Sequence, residues 1–214
     1  MLKAQPLKQA EQERHNQLIK DFFIETRGEE PLSINLHGNG VEKGVYRVVT
    51  STDQLLAAAG SIDLSRRLLS EYNLLSVLHT GTPNFFPRPI AHYAPKDAET
   101  RGDLFLMEFL PHVDVDEIEL GSFHQPSGYY RALAYEIGRG VAIVNYKTGR
   151  FSSEPHDGNI LVAVTQEGQS LDIKFCDAIQ FKQGNIEDAA QSILEDKETR
   201  PECFRFIGKF REGL

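Results

Sequence analysis

The spacing of apolar positions divides the chain into a strand-rich first part and a mixed second part. Residues 1–30 read as a polar leader followed by a helix, with Leu18, Phe22 and Phe23 as its docking side chains. "LSINLHGNG" alternates apolar with polar residues and then runs into glycines, the pattern of a strand entering a turn. "GVYRVVTS" and "QLLAAAGS" are the next two strands, and the three predict a small antiparallel meander. "SIDLSRRLLSEYNLLSVLH" then switches to helical periodicity, with Asp63 or Ser65 available as a cap. Leu64, Leu68, Glu71, Leu75 and Leu78 fall on one stripe of that helix.

Beyond it, "TGTPNFFPRPI" is a turn-rich connector into a strand, and "DLFLMEFLP" is an apolar strand that stops at Pro111. "VDVDEIELGSFHQPSG" reads as an exposed acidic loop. "YYRALAYEIGRGVAIVNYKTG" is a helix with Leu133, Ile137, Val141 and Val144 on one face. "ILVAVT" and "LDIKFCDAIQF" flank the turn "QEGQS" as a β-hairpin, and residues 184–214 hold one or two short helices. The order predicts an α+β arrangement.

Composition narrows the function without choosing it. The 214 residues suit one domain or two small lobes. A net charge of −8 argues against a general binder of nucleic acid or anionic membrane, since both need basic surface. The two cysteines, Cys176 and Cys203, suit neither a zinc site nor a disulfide framework and are compatible with a reducing compartment. No apolar run approaches a membrane span, and "MLKAQPLKQAEQERHNQ" is too polar for a general secretory signal. A signal read by specialised export machinery would still be compatible with it.

Three stretches carry candidate chemistry. Glu71 lies on an otherwise apolar helix face, where a carboxylate needs a cationic partner. Such a side chain would snorkel to solvent, pair with Arg67 four residues back, or meet Lys43 from the glycine-rich turn. "HGNGVEKGVYRV" sets Gly38, Gly40 and Gly44 between two strands, either as a plain hairpin turn or as amides that approach phosphate oxygens. "SSEPHDGNILV" gathers Glu154, His156, Asp157 and Asn159 ahead of a strand, and Asp177 ends the next one. A phosphotransferase needs a carboxylate near the attacking hydroxyl and oxygen ligands for Mg²⁺, and Asn159 with Asp177 would supply the ligands. His15, His37, His79, His92, His112 and His124 lack ligand spacing and are expected at the surface or in turns.

In this order the motifs resemble those of the protein-kinase-like superfamily over residues 32–182. "GNGVEKGVYR" is similar to its glycine-rich loop and "LLSEYNLL" to the helix that carries its glutamate. "LFLMEFLP" is similar to the gatekeeper strand and hinge, "EPHDGNIL" to the catalytic loop, and "KFCDAIQF" to the metal-binding aspartate segment. The resemblance implies a bilobal kinase-like fold with a reduced helical C-lobe. It also implies a first lobe over residues 31–110 and a second over residues 111–214. ATP would lie between them, with Met107 as gatekeeper and Glu108 to Leu110 facing the adenine. Lys43, Glu71 and the Gly38, Gly40 and Gly44 amides would hold the phosphates. Asn159 and Asp177 would hold Mg²⁺ or Mn²⁺. Glu154 or Asp157 would act as the base, and His156 would bind a phosphate oxygen or brace the loop.

The sequence departs from the family at several points. The third strand has no lysine, and Lys43 beside the glycines resembles the arrangement of the "with no lysine" kinases. Glu154 stands where the catalytic aspartate is usual, and Ala178 follows Asp177 where the family has Phe. The short run from Asp177 to Leu214 is similar to the minimal kinases that pathogenic bacteria inject into host cells by type III secretion. On that resemblance the expected activity is protein phosphorylation, on Ser or Thr in preference to Tyr. The protein would be a monomer, made in the bacterial cytoplasm and exported to the host cytosol, with a host heat-shock chaperone as a possible target. A pseudokinase that binds a host protein without phosphotransfer is the alternative. A small-molecule kinase of the aminoglycoside type is the third reading.

Overall fold

The computed structural model describes residues 9–39, 43–60, 65–114, 129–152, 159–164, 171–185 and 187. They fall into two compact units, one formed by the described residues up to 76 with 88–109 and the other by 77–87 with the described residues from 110 onward.

The first unit is built on an antiparallel sheet. Its strands are β1 (Ser33–Asn39), β2 (Lys43–Val49), β3 (Gln54–Gly60), β4 (Pro89–Tyr93) and β5 (Leu104–Glu108), in the order β1-β2-β3-β5-β4. Strand alternation sends Tyr46, Val48, Leu55, Ala57, Ala59, Leu104 and Leu106 to one face. There they form a single core with Leu18, Ile19, Phe22 and Phe23 of helix α1 (Gln9–Arg27). Full burial of each of these large side chains contributes about 1.5–3 kcal/mol. The opposite face receives helix α2 (Ser65–Gly81), whose Tyr72 ring lies 6.2 Å from Phe105 and 5.9 Å from His92.

The second unit contains helix α4 (Tyr129–Thr148), which buries Leu133, Ile137, Val141 and Val144 as its periodicity predicts. A short helix, α3 (Ala98–Arg101), belongs to the first unit. After α4, Gly149 takes φ +65° and its N–H bonds the Asn145 carbonyl at 2.8 Å, closing the helix with a left-handed residue. Strands β6 (Val113–Asp114), β8 (Ile160–Val164) and β9 (Leu171–Phe175) form one sheet, while β7 (Arg150–Ser152) pairs with β10 (Phe181–Gln183). Phe85, Phe86, Phe175 and Phe181 stack with one another in this unit's core.

Four expectations need correction. Lys43 is not in the turn but is the first residue of β2. "LDIKFCDAIQF" is not one strand: β9 stops at Phe175, Ala178–Gln180 form a 3₁₀ turn, and β10 leaves to pair with β7. Only the β8–β9 part forms the expected antiparallel pair. The acidic stretch after Pro111 opens with the short strand β6, and residues 115–128 lie outside the described residues, as do residues 188–214 of the tail. Finally, His15 is an interior residue and not a surface or turn one.

His15 is fully buried under the sheet. Its Nδ1 lies 2.9 Å from the Tyr46 hydroxyl, and its Nε2 lies 3.2 Å from the Gly60 carbonyl. Arg14 donates to the same carbonyl at 3.2 Å and also to the Arg101 carbonyl. This approach needs a glycine at position 102. Gly102 has φ +78°, and a Cβ there would stand 2.8 Å from both Arg14 Nη1 and the Gly60 oxygen.

Burial first, and the neighbouring Arg14 charge second, lower the His15 pKa from 6.5 to about 4. The folded state therefore refuses a proton that the unfolded chain accepts between these values. Stability conferred by neutral His15 is present above pH 6.5 and is lost as pH falls toward 4. The full effect is on the order of 3 kcal/mol. Urea-unfolding midpoints measured across that window are expected to fall with pH in the natural protein. The fall should be shallower in His15→Gln, which has no imidazole to titrate.

Candidate functional site

Within the first unit, Lys43 and Glu71 are ion-paired: Lys43 Nζ donates to Glu71 Oε1. The Glu71 side chain is 6% exposed and the Lys43 side chain 22%. The periodicity of α2 explains the first value, since Glu71 shares its stripe with Leu68, Leu75 and Leu78, all buried. The β2–β3 register explains how the lysine reaches it. Lys43 stands directly opposite Gly60, and Gly44, Val45 and Tyr46 stand opposite Ala59, Ala58 and Ala57. Paired residues on neighbouring strands point to the same face. Lys43 and position 60 therefore share one rung on the face that receives α2, and the glycine leaves that rung to the lysine. Lys43 of the second strand and Gly60 of the third thus stand at the same level of the sheet.

The glycine turn is only partly described. Gly38 lies at a β-bulge in β1, where the register shifts between Leu36 and Gly38, and Gly44 is the second residue of β2. Gly40 lies outside the described residues. At the end of the sheet, Met107 is buried in β5, and the Glu108 N–H donates to the Arg88 carbonyl at 2.9 Å. That donor is therefore already committed. Phe109 lies under the Arg47 guanidinium at 4.8 Å from its ring centre, with the His37 ring 6.0 Å away. Leu110 is buried and belongs to the second unit.

Within the second unit, Asn159 and Asp177 are joined through a third side chain. Asn159 Nδ2 donates to Gln180 Oε1 at 2.6 Å, and Gln180 Nε2 donates to Asp177 Oδ2 at 3.0 Å. The Cys176 N–H also donates to the Asn159 carbonyl at 3.1 Å, tying the start of β8 to the end of β9. Asp177 Oδ1 is buried and has no hydrogen-bond partner among the described residues. A buried carboxylate oxygen in that state is costly unless a cation or a further donor reaches it. Asp177 carries carboxylate oxygens and Asn159 an amide oxygen, the hard ligand types that Mg²⁺ and Mn²⁺ prefer. The residues therefore fit such an ion. Glu154, His156 and Asp157 lie outside the described residues.

Gln180 was not singled out by the sequence. Read as part of a strand, positions 177 and 180 point to opposite faces. The 3₁₀ turn brings i and i+3 onto the same side, so the missed signal was the break after Phe175. Other polar pairs have structural settings. His92 Nε2 bonds the buried Asp103 at 2.8 Å, His112 bonds Asp172 at 3.1 Å, and His79 bonds the Phe86 carbonyl at 3.0 Å.

Removing one partner of the Lys43–Glu71 pair leaves the other charge in an apolar setting. Lys43→Met is expected to destabilise the protein by about 2–4 kcal/mol, the lower part reflecting the partial exposure of the lysine. Glu71→Leu added to it should recover much of that loss, because the double variant no longer buries a carboxylate deprived of this lysine. Urea denaturation of the two single variants and the double variant measures the coupling.

Comparison with known proteins agrees on the fold. No family model and no curated protein matches the sequence. Among solved structures, WaaP, in a complex with acyl carrier protein, is similar over 91% of this chain and 88% of its own, at 14% identity and a TM-score of 0.56. A double mutant of the PknI kinase domain of Mycobacterium tuberculosis is similar over 74% of this chain, at 13% identity and a TM-score of 0.51. The unmodified PknI domain gives 12% identity and a TM-score of 0.49. The chain spans less than two thirds of these PknI domains, 64% of the unmodified form and 63% of the double mutant. The fold is α+β and protein-kinase-like, with few helices in its second unit among the described residues.

Proposed function

We propose that this protein is an ATP-dependent phosphotransferase whose acceptor is a Ser or Thr hydroxyl of another protein. The observation that carries the reading is the pairing of Lys43, partly exposed, with the buried Glu71 on a sheet rung completed by Gly60, within a kinase-like fold. A lysine held by a helix carboxylate presents a fixed positive charge, which suits the α- and β-phosphates of a nucleotide. The Gly38, Gly40 and Gly44 backbone would add N–H donors without side chains in the way. Met107 and the segment Glu108 to Leu110 would border the adenine.

Asn159 and Asp177 would hold Mg²⁺ or Mn²⁺, which when bound offsets negative charge on the phosphates. Glu154 or Asp157 would accept the proton of the acceptor hydroxyl, and His156 would brace that loop. The resemblance to injected minimal kinases makes a host heat-shock chaperone the first acceptor to test. On the same resemblance the protein would act after export to the host cytosol.

The test is transfer of radiolabelled γ-phosphate from ATP with Mg²⁺ or Mn²⁺ into proteins of a eukaryotic lysate and into purified heat-shock chaperone. Lys43→Ala and Asp177→Ala are each expected to lower labelling by at least about 100-fold, the scale of losing a charge-stabilising group. Comparing Glu154→Ala with Asp157→Ala identifies the base by the larger loss. ATP binding without any labelling, including self-labelling, would instead make the protein a nucleotide-binding pseudokinase. Absence of ATP binding would overturn the kinase reading altogether.

A further inference from the structure

The two proposed metal ligands are not held independently. Gln180 spans them, taking the Asn159 amide nitrogen with its oxygen and giving its own nitrogen to Asp177 Oδ2. A side-chain amide held through its nitrogen has its flip decided, so the Asn159 oxygen stands at the opposite corner of the amide plane. A carboxylate held through Oδ2 has its rotation decided as well. In Asp177 the oxygen left over, Oδ1, is the buried one without a partner among the described residues. Gln180 thus bonds one atom of each residue, and the orphaned oxygen belongs to the same group. Its place is secured by the backbone: Asp177 precedes the 3₁₀ turn that ends in Gln180, and Phe181 starts β10 against Ser152 of β7.

We propose that Gln180 is a positioning residue for the divalent metal. It acts from outside the coordination shell by fixing the orientation of both Asn159 and Asp177, and it does not itself ligate the ion. The inference rests on the metal-site reading given above and deepens it. Outer-shell partners of this kind change metal affinity by about 10–100-fold when removed. The amide is specific to the task because one end must accept a hydrogen bond and the other must donate one. Glutamate can accept from Asn159 but cannot donate to Asp177, and it places a second negative charge beside the carboxylate. Direct ligation would give the opposite result, since an added carboxylate oxygen strengthens binding of a hard cation.

The experiment compares the dissociation constant of the fluorescent nucleotide TNP-ATP with Mn²⁺ and with EDTA, using the full chain. The ratio of the two reports the metal without requiring turnover. In the natural protein Mn²⁺ is expected to tighten nucleotide binding clearly, and Asp177→Ala should abolish most of that gain. Gln180→Ala and Gln180→Glu are each expected to shrink the gain by about tenfold or more while leaving the constant in EDTA unchanged. A gain unchanged in both Gln180 variants would overturn the proposal, as would a larger gain in Gln180→Glu, which would mark a direct ligand. Equal weakening with and without metal would make Gln180 a merely structural brace and would also overturn it. If the natural protein binds TNP-ATP with no response to Mn²⁺, the metal-site reading itself fails. That outcome is distinct from a normal response that the Gln180 variants do not alter.

Discussion

A carboxylate seated among leucines has to find a cation, and much of the first unit is arranged so that Glu71 does. Helical periodicity carries Glu71 inward with Leu68, Leu75 and Leu78, and the ion pair to Lys43 satisfies it there. The lysine can serve only if β2 and β3 keep their register, because the pairing of Lys43 with Gly60 brings it to the face that α2 occupies. A slip of one residue would turn Lys43 to the α1 side and break its ion pair with Glu71. The requirement for charge pairing and the sheet register thus depend on one another.

The opposite side of the sheet restrains the same rung. Arg14 and His15 of α1 reach the Gly60 carbonyl, His15 also meets Tyr46 on β2, and the Gly60 N–H bonds the Asp103 carbonyl at 3.2 Å. The glycine opposite Lys43 therefore has both backbone polar groups engaged. This gives α1 a part beyond covering the sheet with Leu18, Ile19, Phe22 and Phe23. It also accounts for a histidine in the core: a neutral imidazole can bond two neighbours in a place where a lysine or a carboxylate would need a counter-ion.

The second unit solves a comparable problem with neutral groups. Asp177 lies two residues beyond the end of β9, ahead of the 3₁₀ turn, and an amide takes one of its oxygens. An amide, unlike a lysine or arginine, steadies the carboxylate without neutralising it. In the first unit a lysine neutralises the buried carboxylate, whereas in the second an amide holds one without neutralising it.

The local sequence determined what depends on periodicity and on single-residue chemistry. The stripes of α2 and α4, the alternation of β2 and the inward position of Glu71 follow from spacing, because 3.6- and 2-residue repeats assign faces without knowledge of neighbours. Register does not follow from spacing, and so only the tertiary structure decided that Lys43 heads a strand opposite Gly60 instead of sitting in a turn. The position of Gln180 was equally out of reach, since an apolar-rich run such as "KFCDAIQF" does not show where a strand gives way to a 3₁₀ turn that reverses which side chains meet. His15 was misread for a similar reason: its burial depends on Tyr46, Gly60 and Gly102, which are distant in the chain and adjacent only when the sheet is paired. Local repeats choose the face on which a residue lies, whereas long-range pairing chooses its partner, and the chemistry of this protein rests on partners.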